Sequence, residues 1–422
     1  MNPDTLLVLF LVIIGAEFIF EKFLAVLNYR KLESKLPERM KGIYDPEKYR
    51  QSIAYNKENG RFGFVTSSIS FLVIVTLIAT GFFGMLDEWI RRFVADPLLI
   101  SLAFFGILYI AGDILSTPFA VYDTFVIEEK YGFNKTTPRI FILDKLKGYL
   151  LSIILGGGIL LVLLVLINRM GKDFWIYFWI VISAFTLFMN MFYTTLIVPL
   201  FNKLVPLEES ELKDAILNYS QKVRFPLDNI FVIDGSKRST KANAYFSGLG
   251  RKKKIVLFDT LINNHSKEEL VAVLAHEVGH YKKKHIIQSY LTSIIQTGIL
   301  LFIMSLLIFN PDLSIAFGGK QFAIHLNLIA FFILFSPIST ITGILMNLIS
   351  RKNEYQADAF AAETYNAQPL QEALKKLSTN NLGNLTPHRW YVFVNYSHPP
   401  LLSRLKALDR YESNQTGNSV SS

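Results

Sequence analysis

The sequence contains no cysteine, which excludes both disulfide bridges and thiolate metal sites. Any metal ion held by this chain must be bound through nitrogen and oxygen. Histidine is sparse as well, with seven among 422 residues, so two of them at a ligand spacing carry weight. The start, Met1-Asn2-Pro3-Asp4, lacks the basic segment that opens a cleavable secretory signal, so the first apolar stretch is expected to stay in the mature chain. No internal repeat is evident.

What is abundant is apolar sequence: 51% of residues are hydrophobic and the mean hydropathy is +0.34. Runs of about 20 apolar residues, long enough to cross a hydrocarbon core of roughly 30 Å as a helix, occur from Leu6 to Leu27, Phe64 to Leu86, Pro97 to Phe119, Gly148 to Asn168, Trp175 to Pro199, Ile286 to Phe309 and Ala323 to Ile349. They are apolar on every face, whereas large buried helices of a soluble protein show an apolar stripe. Seven transmembrane helices are therefore expected, in a mainly α, polytopic membrane protein. The net charge of +9 raises nucleic acid as a partner, but position decides against it. Of 43 Lys and Arg residues, 37 lie on the side reached after the first run and five on the other, with Lys22 inside the run. The positive-inside rule makes the richer side cytoplasmic and the N-terminus external. The basic clusters Arg251 to Lys254 and Lys282 to Lys284 flank a turn and a membrane helix, so the expected partner is the bilayer, with no nucleic acid.

Two polar stretches on the cytoplasmic side, 200–285 and 350–412, are each too small for a comfortable core and are expected to pack as one split domain. Residues 1–199 then hold helices one to five and residues 286–349 helices six and seven, while the Ser, Asn and Gly-rich tail 413–422 is expected to be disordered. Asn229 to Ile233 and Lys254 to Phe258 read as strands around a Gly-rich turn at Gly248 and Gly250. Ser266 followed by Glu269 is a capping box that opens a helix.

That helix carries His276-Glu277-Val278-Gly279-His280, an H-E-x-x-H pattern. Residues four apart share a helix face, so both imidazoles can reach one zinc ion while Glu277 stands beside them as a general base for water. A third ligand is required, and His285, Glu354, Glu363, His388 and His398 are candidates. No breaker separates the motif helix from membrane helix six, so His280 is expected roughly 9 Å from Ile286 along one axis, at 1.5 Å per residue. Glu354, five residues past helix seven, emerges on the same side at similar depth and is favoured. Asp358, four residues on, suits a carboxylate that accepts a ligand imidazole's other N–H, though an ordinary helix-surface acid fits the same spacing. On a continuous helix His285 would lie about 140° round from His280 and is read as a boundary or cavity residue. Ionisable residues inside apolar runs, Glu17, Glu21, Lys22 and Asp113, motivate a rival of another class, a seven-helix transporter or inactive scaffold, which leaves the motif without a role.

Further blocks follow in order: Phe125 to Asn134, Asn243-Ala244-Tyr245-Phe246, Ile255 to Thr260, Asn353 to Asp358, and Ser397-His398-Pro399-Pro400 with Arg404. With these blocks, which span 280 residues, the chain resembles the type I CAAX prenyl endopeptidases, membrane-embedded zinc proteases of the gluzincin kind. The resemblance implies seven tilted helices enclosing a hydrated chamber, which would house the intramembrane charges, capped by a cytoplasmic gluzincin-like zinc protease domain with a small β-sheet. It implies one zinc ion per chain on His276, His280 and Glu354, with Asp358 behind them and His398 and Arg404 near the reacting carbonyl. It marks Asn243, Ala244, Tyr245 and Phe246 as an edge where an extended peptide substrate pairs. The implied activity is hydrolysis near the C-terminus of prenylated CAAX substrates, with prenyl-independent membrane-protein quality control as the alternative. The expected membrane is a bacterial inner membrane or the endoplasmic reticulum.

Overall fold

The structure, a computed structural model, describes residues 2–32, 35–42, 44–227, 229–247 and 254–419. It is mainly helical. The first helices are α1 (Pro3–Arg30), α2 (Pro46–Ala79), α3 (Phe82–Arg91) and α4 (Pro97–Tyr122), the last continued by a π-helical turn, Asp123–Glu128. Next come α5 (Pro138–Leu151), a second π-helical turn (Ser152–Gly157), α6 (Gly158–Met170), α7 (Phe174–Leu196) and α8 (Val198–Phe201). Several of these open alike, with a capping side chain followed by proline at the first helical position: Asn2-Pro3, Asp45-Pro46, Asp96-Pro97 and Thr137-Pro138. Proline has no N–H to leave unpaired there, and the capping oxygen accepts one of the free N–H groups of the first turn.

Among the described residues, five helical segments are long and apolar enough to cross a membrane: Pro46–Ala79, Pro97–Glu128, Pro138–Phe201, His285–Leu307 and Ile324–Thr364. Their most apolar windows are only 6 to 22% buried, so the apolar side chains face outward, as in a lipid-solvated helix. Pro138–Phe201 holds 64 residues, far more than one crossing needs, and it folds back where Gly171 adopts φ 54°. The expected fourth and fifth spans both fall inside it. The expected second span, Phe64 to Leu86, is not one helix: α2 stops at Ala79, Gly81 adopts φ 67°, and α3 starts a new direction. There Gly84 lies against Gly318 so closely that a Cβ would stand 2.1 Å from its carbonyl carbon, a contact sequence periodicity cannot reveal.

The polar half contains β1 (Leu204–Pro206), α9 (Glu211–Lys222), β2 (Asn229–Ile233), β3 (Ala244–Ser247), β4 (Lys254–Phe258), α10 (Asp259–Asn264) and α11 (Lys267–Lys282). After α12 (His285–Leu307), α13 (Pro311–Ala316) and α14 (Ile324–Thr364) come α15 (Ala367–Asn380), α16 (Arg389–Asn395) and α17 (Leu401–Ser419). The sheet order is β1-β2-β4-β3, with β2 and β4 parallel and the outer pairs antiparallel. The two expected strands are therefore present with their expected bounds, while Gly248 and Gly250 lie outside the described residues. One core joins the halves of the polar region: Ile216, Ile230, Leu257, Leu270 and Val278 pack with Ala361, Leu370 and Leu408. The helix α17 extends into the tail to Ser419, and residues 420–422 lie outside the described residues.

Candidate metal centre and peptidase site

The capping box is formed as the sequence predicts, with Ser266 Oγ accepting from Glu269 N–H at 3.2 Å and Glu269 Oε2 accepting from Ser266 N–H at 3.0 Å. It opens α11, the helix of the H-E-x-x-H motif. Gly279 inside the motif is what lets α11 meet α14. A Cβ there would lie 3.0 Å from Ala357 Cα and 3.1 Å from its carbonyl oxygen. The close backbone approach brings His276 and His280 against Glu354, and the three donor atoms lie within 4.8 Å of one another.

His276 Nε2 and His280 Nε2 are 3.1 Å apart. His276 Nε2 is 3.5 Å from Glu354 Oε2, and His280 Nε2 is 3.3 Å from Glu354 Oε1. A tetrahedral ion with bonds of about 2.0–2.1 Å separates its donors by roughly 3.3 Å, so the three residues fit a small divalent cation. Glu354 Oε2 is buried and faces His276 Nε2 and, at 3.3 Å, Arg404 Nη1 without a hydrogen bond of good geometry. Burial alone would lower the pKa of His276, but the carboxylates of Asp358 and Glu354 outweigh it and push it up to about 9. The pocket thus favours positive charge, as proton or metal.

Each imidazole is turned by its other nitrogen. His276 Nδ1 donates to Asp358 Oδ1 at 2.8 Å, which leaves Nε2 as the nitrogen that takes either a proton or a metal ion. Asp358 is 1% exposed, so it is not a surface acid. Arg404 donates to both of its oxygens, through Nε at 2.8 Å and Nη2 at 2.6 Å, and places Nη1 3.3 Å from Glu354 Oε2. His280 is aligned by a residue the sequence reading set aside. The motif helix does not run on into the next: Lys284 adopts φ 61°, α11 ends at Lys282 and α12 begins at His285. The break corrects the expected continuous helix and turns His285 back. Its Nδ1 lies 3.1 Å from His280 Nδ1, and its Nε2 lies 2.9 Å from Gln356 Oε1. If the glutamine oxygen accepts from His285 Nε2–H, His285 Nδ1 accepts from His280 Nδ1–H, and His280 Nε2 faces the centre. A lysine in the left-handed region leaves no sequence signal; only the histidine five residues past His280 hinted at the contact.

A cavity of 660 Å³ opens onto this cluster and is lined by Glu277, His398, Arg404, Asn243, Ala244 and Tyr245 among others. Half-buried Glu277 stands beside His276 and His280. His398 Nε2 lies 3.3 Å from Glu354 Oε1, and its side chain is 65% exposed, so it can also meet a substrate. Phe246 pairs with Ile255 through the backbone, and its side chain lies outside the described residues. The other ligand candidates are elsewhere: His388 caps α16, accepting from Trp390 N–H at 3.3 Å, and Glu363 is exposed. The membrane-helix wall of the cavity, with Thr186, Asn190, Ser289 and Ser293, is polar, which the apolar reading of those runs did not foresee.

A motif-bearing helix, a glutamate delivered from a long membrane-spanning helix and a cavity at their junction define a membrane-embedded metallopeptidase of the H-E-x-x-H class. Comparison with known proteins narrows this. Residues 206–412 match peptidase family M48, and residues 25–203 match the family described as CAAX prenyl protease N-terminal, five membrane helices. CAAX prenyl protease 1 of Saccharomyces cerevisiae is 34% identical, covering 93% of both chains. A CAAX prenyl protease 1 homolog of Oryza sativa is 36% identical over 94% of this chain and 95% of its own. The crystal structure of S. mikatae Ste24p superposes with a TM-score of 0.91 at 34% identity, covering 96% of this chain and 99% of that one. The chain belongs to the M48 peptidase family, in its type I CAAX prenyl protease branch.

Proposed function

We propose that this protein is a zinc-dependent endopeptidase that cuts prenylated CAAX-type proteins near their C-terminus. The observation that carries the reading is the convergence of His276, His280 and Glu354 on one point at the wall of a cavity that also holds Glu277. Zinc, when bound by these three residues, would supply Lewis-acid activation of water and of the scissile carbonyl. Glu277 takes the proton from the attacking water and delivers it to the leaving amine. Asp358 fixes the tautomer of His276, and Arg404 fixes Asp358 and Glu354 in turn. His398, exposed beside Glu354, donates to the developing oxyanion, with Arg404 adding positive charge. The edge Asn243 to Phe246 receives the substrate as an added strand, since among the described residues β3 has a single sheet neighbour, β4.

In the bilayer, α1, α2, α4, the α5–α6 helix, α7, α12 and α14 serve as seven spans around a hydrated chamber. Within it Asp113 pairs with Lys145 at 2.8 Å, a neutralised pair suited to that depth. The halves 200–285 and 350–412 form one protease domain on the cytoplasmic side, in a bacterial inner membrane or the endoplasmic reticulum.

The test is a substrate panel on purified protein: farnesylated CAAX peptide, the same peptide unprenylated, and an unfolded membrane protein. Chelator-sensitive cleavage of the farnesylated peptide with much higher kcat/KM is expected. Equal cleavage of all three would replace CAAX processing by quality control.

A further inference from the structure

The substrate edge is tied to the membrane helices by an ion pair that the hydrolytic reading does not use. Lys241, two residues before Asn243, donates to Glu128 Oε2 at 2.7 Å and to the Tyr55 hydroxyl at 2.9 Å. Tyr55 in turn donates to Glu128 Oε1. Burial would lower the pKa of Lys241, but Glu128 and Tyr55 outweigh it and keep the ammonium charged. Glu128 ends the π-helical turn that follows α4, an irregularity that re-aims side chains and recurs at functional sites.

The backbone on both sides of Lys241 is held too. Towards the membrane, Lys135 N–H donates to Arg238 O at 3.0 Å, Thr240 N–H donates to Phe133 O at 3.1 Å, and Arg238 grips Asp144 of α5 at 2.7 and 2.9 Å. Towards the protease core, Thr260 Oγ1 donates to Lys241 O at 3.1 Å and Ala242 N–H donates to Asn381 Oδ1 at 3.2 Å. The pairing of β3 with β4, Ala244 opposite Leu257 and Tyr245 opposite Val256, begins directly after this bracket.

We propose that Lys241 and Glu128 are positioning residues that select which peptide bond is cut, by fixing where β3 starts and hence the register of a substrate strand laid along it. The inference rests on the strand-addition reading above. Register matters because a strand advances about 3.3 Å per residue and its faces alternate, so a slip of two residues keeps the same side chains inward yet moves the bond facing Glu277 by roughly 6.6 Å.

The experiment compares wild type with Lys241→Met, Glu128→Gln and Lys241→Arg on a farnesylated CAAX peptide, reading product masses, KM, kcat and bound metal. Lys241→Met and Glu128→Gln are expected to keep their metal, raise KM, and release a mixture cut at neighbouring bonds; Lys241→Arg restores the single wild-type product. A single wild-type product from Lys241→Met, at any rate, or loss of metal from that variant would overturn the proposal. Strand addition is tested separately on wild type with a peptide N-methylated at the pairing amides. Weakened binding is expected. An unchanged KM would sink strand addition, and the positioning role with it, whereas weakened binding with unaltered products from the variants sinks the positioning role alone.

Discussion

The two ends of α14 each bury a histidine against a carboxylate: His325 Nε2 is 2.9 Å from Asp87 Oδ1, and His276 Nδ1 is 2.8 Å from Asp358 Oδ1. The surroundings differ. His325 has its other nitrogen 3.0 Å from Ser101 Oγ and its ring against Phe104, while Arg91 donates to Asp87 Oδ2 at 2.8 Å. Both nitrogens have polar neighbours, and the cluster ties α3, α4 and α14 together inside solid packing. His276 spends one nitrogen on Asp358 and turns the other, with His280 Nε2 and the Glu354 carboxylate, toward a cavity. Buried pairing of histidine with carboxylate is thus shared by a structural tie and a candidate metal centre. What separates them is that three donor atoms converge on open space.

Glu277→Gln should sharpen this contrast most, since it removes the base and spares every ligand. Cleavage should fall about 100- to 10,000-fold with metal content unchanged by elemental analysis. A wild-type rate would remove Glu277 from the mechanism. At the opposite end, His325→Phe leaves Asp87 with Arg91 alone in a buried site and one carboxylate oxygen unpaired, and about 1–3 kcal/mol of stability should be lost. The melting temperature should drop while metal stoichiometry holds; lost metal with an unchanged melting temperature would break the division of roles. His285→Phe, which unseats the alignment of His280, should weaken metal affinity about 10- to 100-fold in a chelator competition, since residues behind a ligand act on that scale. Equal affinity would reduce His285 to packing. Gly279→Ala should have the smallest effect, about 1 kcal/mol of overpacking where the added methyl meets Ala357. A stabilised variant with unchanged metal affinity would show that the contact between α11 and α14 has slack.

That His276, His280 and Glu354 come together was legible largely because the geometry of the motif is local. His276 and His280 share a helix face, and Glu354 closely follows the last apolar run as His280 closely precedes the sixth. β2, β4 and the capping box were equally legible, resting on short apolar runs and on Ser266 with Glu269. The unread features come from contacts distant in sequence or from backbone that the residue type does not announce. Lys284 takes a left-handed conformation without being glycine, so the break that delivers His285 is invisible in the pattern. The early end of α2 depends on Gly84 meeting Gly318, more than two hundred residues away. The tie between Lys241 and Glu128 likewise joins segments whose charges alone do not name each other.

Anomalous diffraction from crystals of the purified protein, measured on both sides of the zinc absorption edge, addresses the metal centre most directly. One peak per chain is expected, bounded by His276 Nε2, His280 Nε2 and the Glu354 carboxylate, and it should disappear in Glu354→Ala. A peak at any other group, or one that survives Glu354→Ala undiminished, would contradict that assignment.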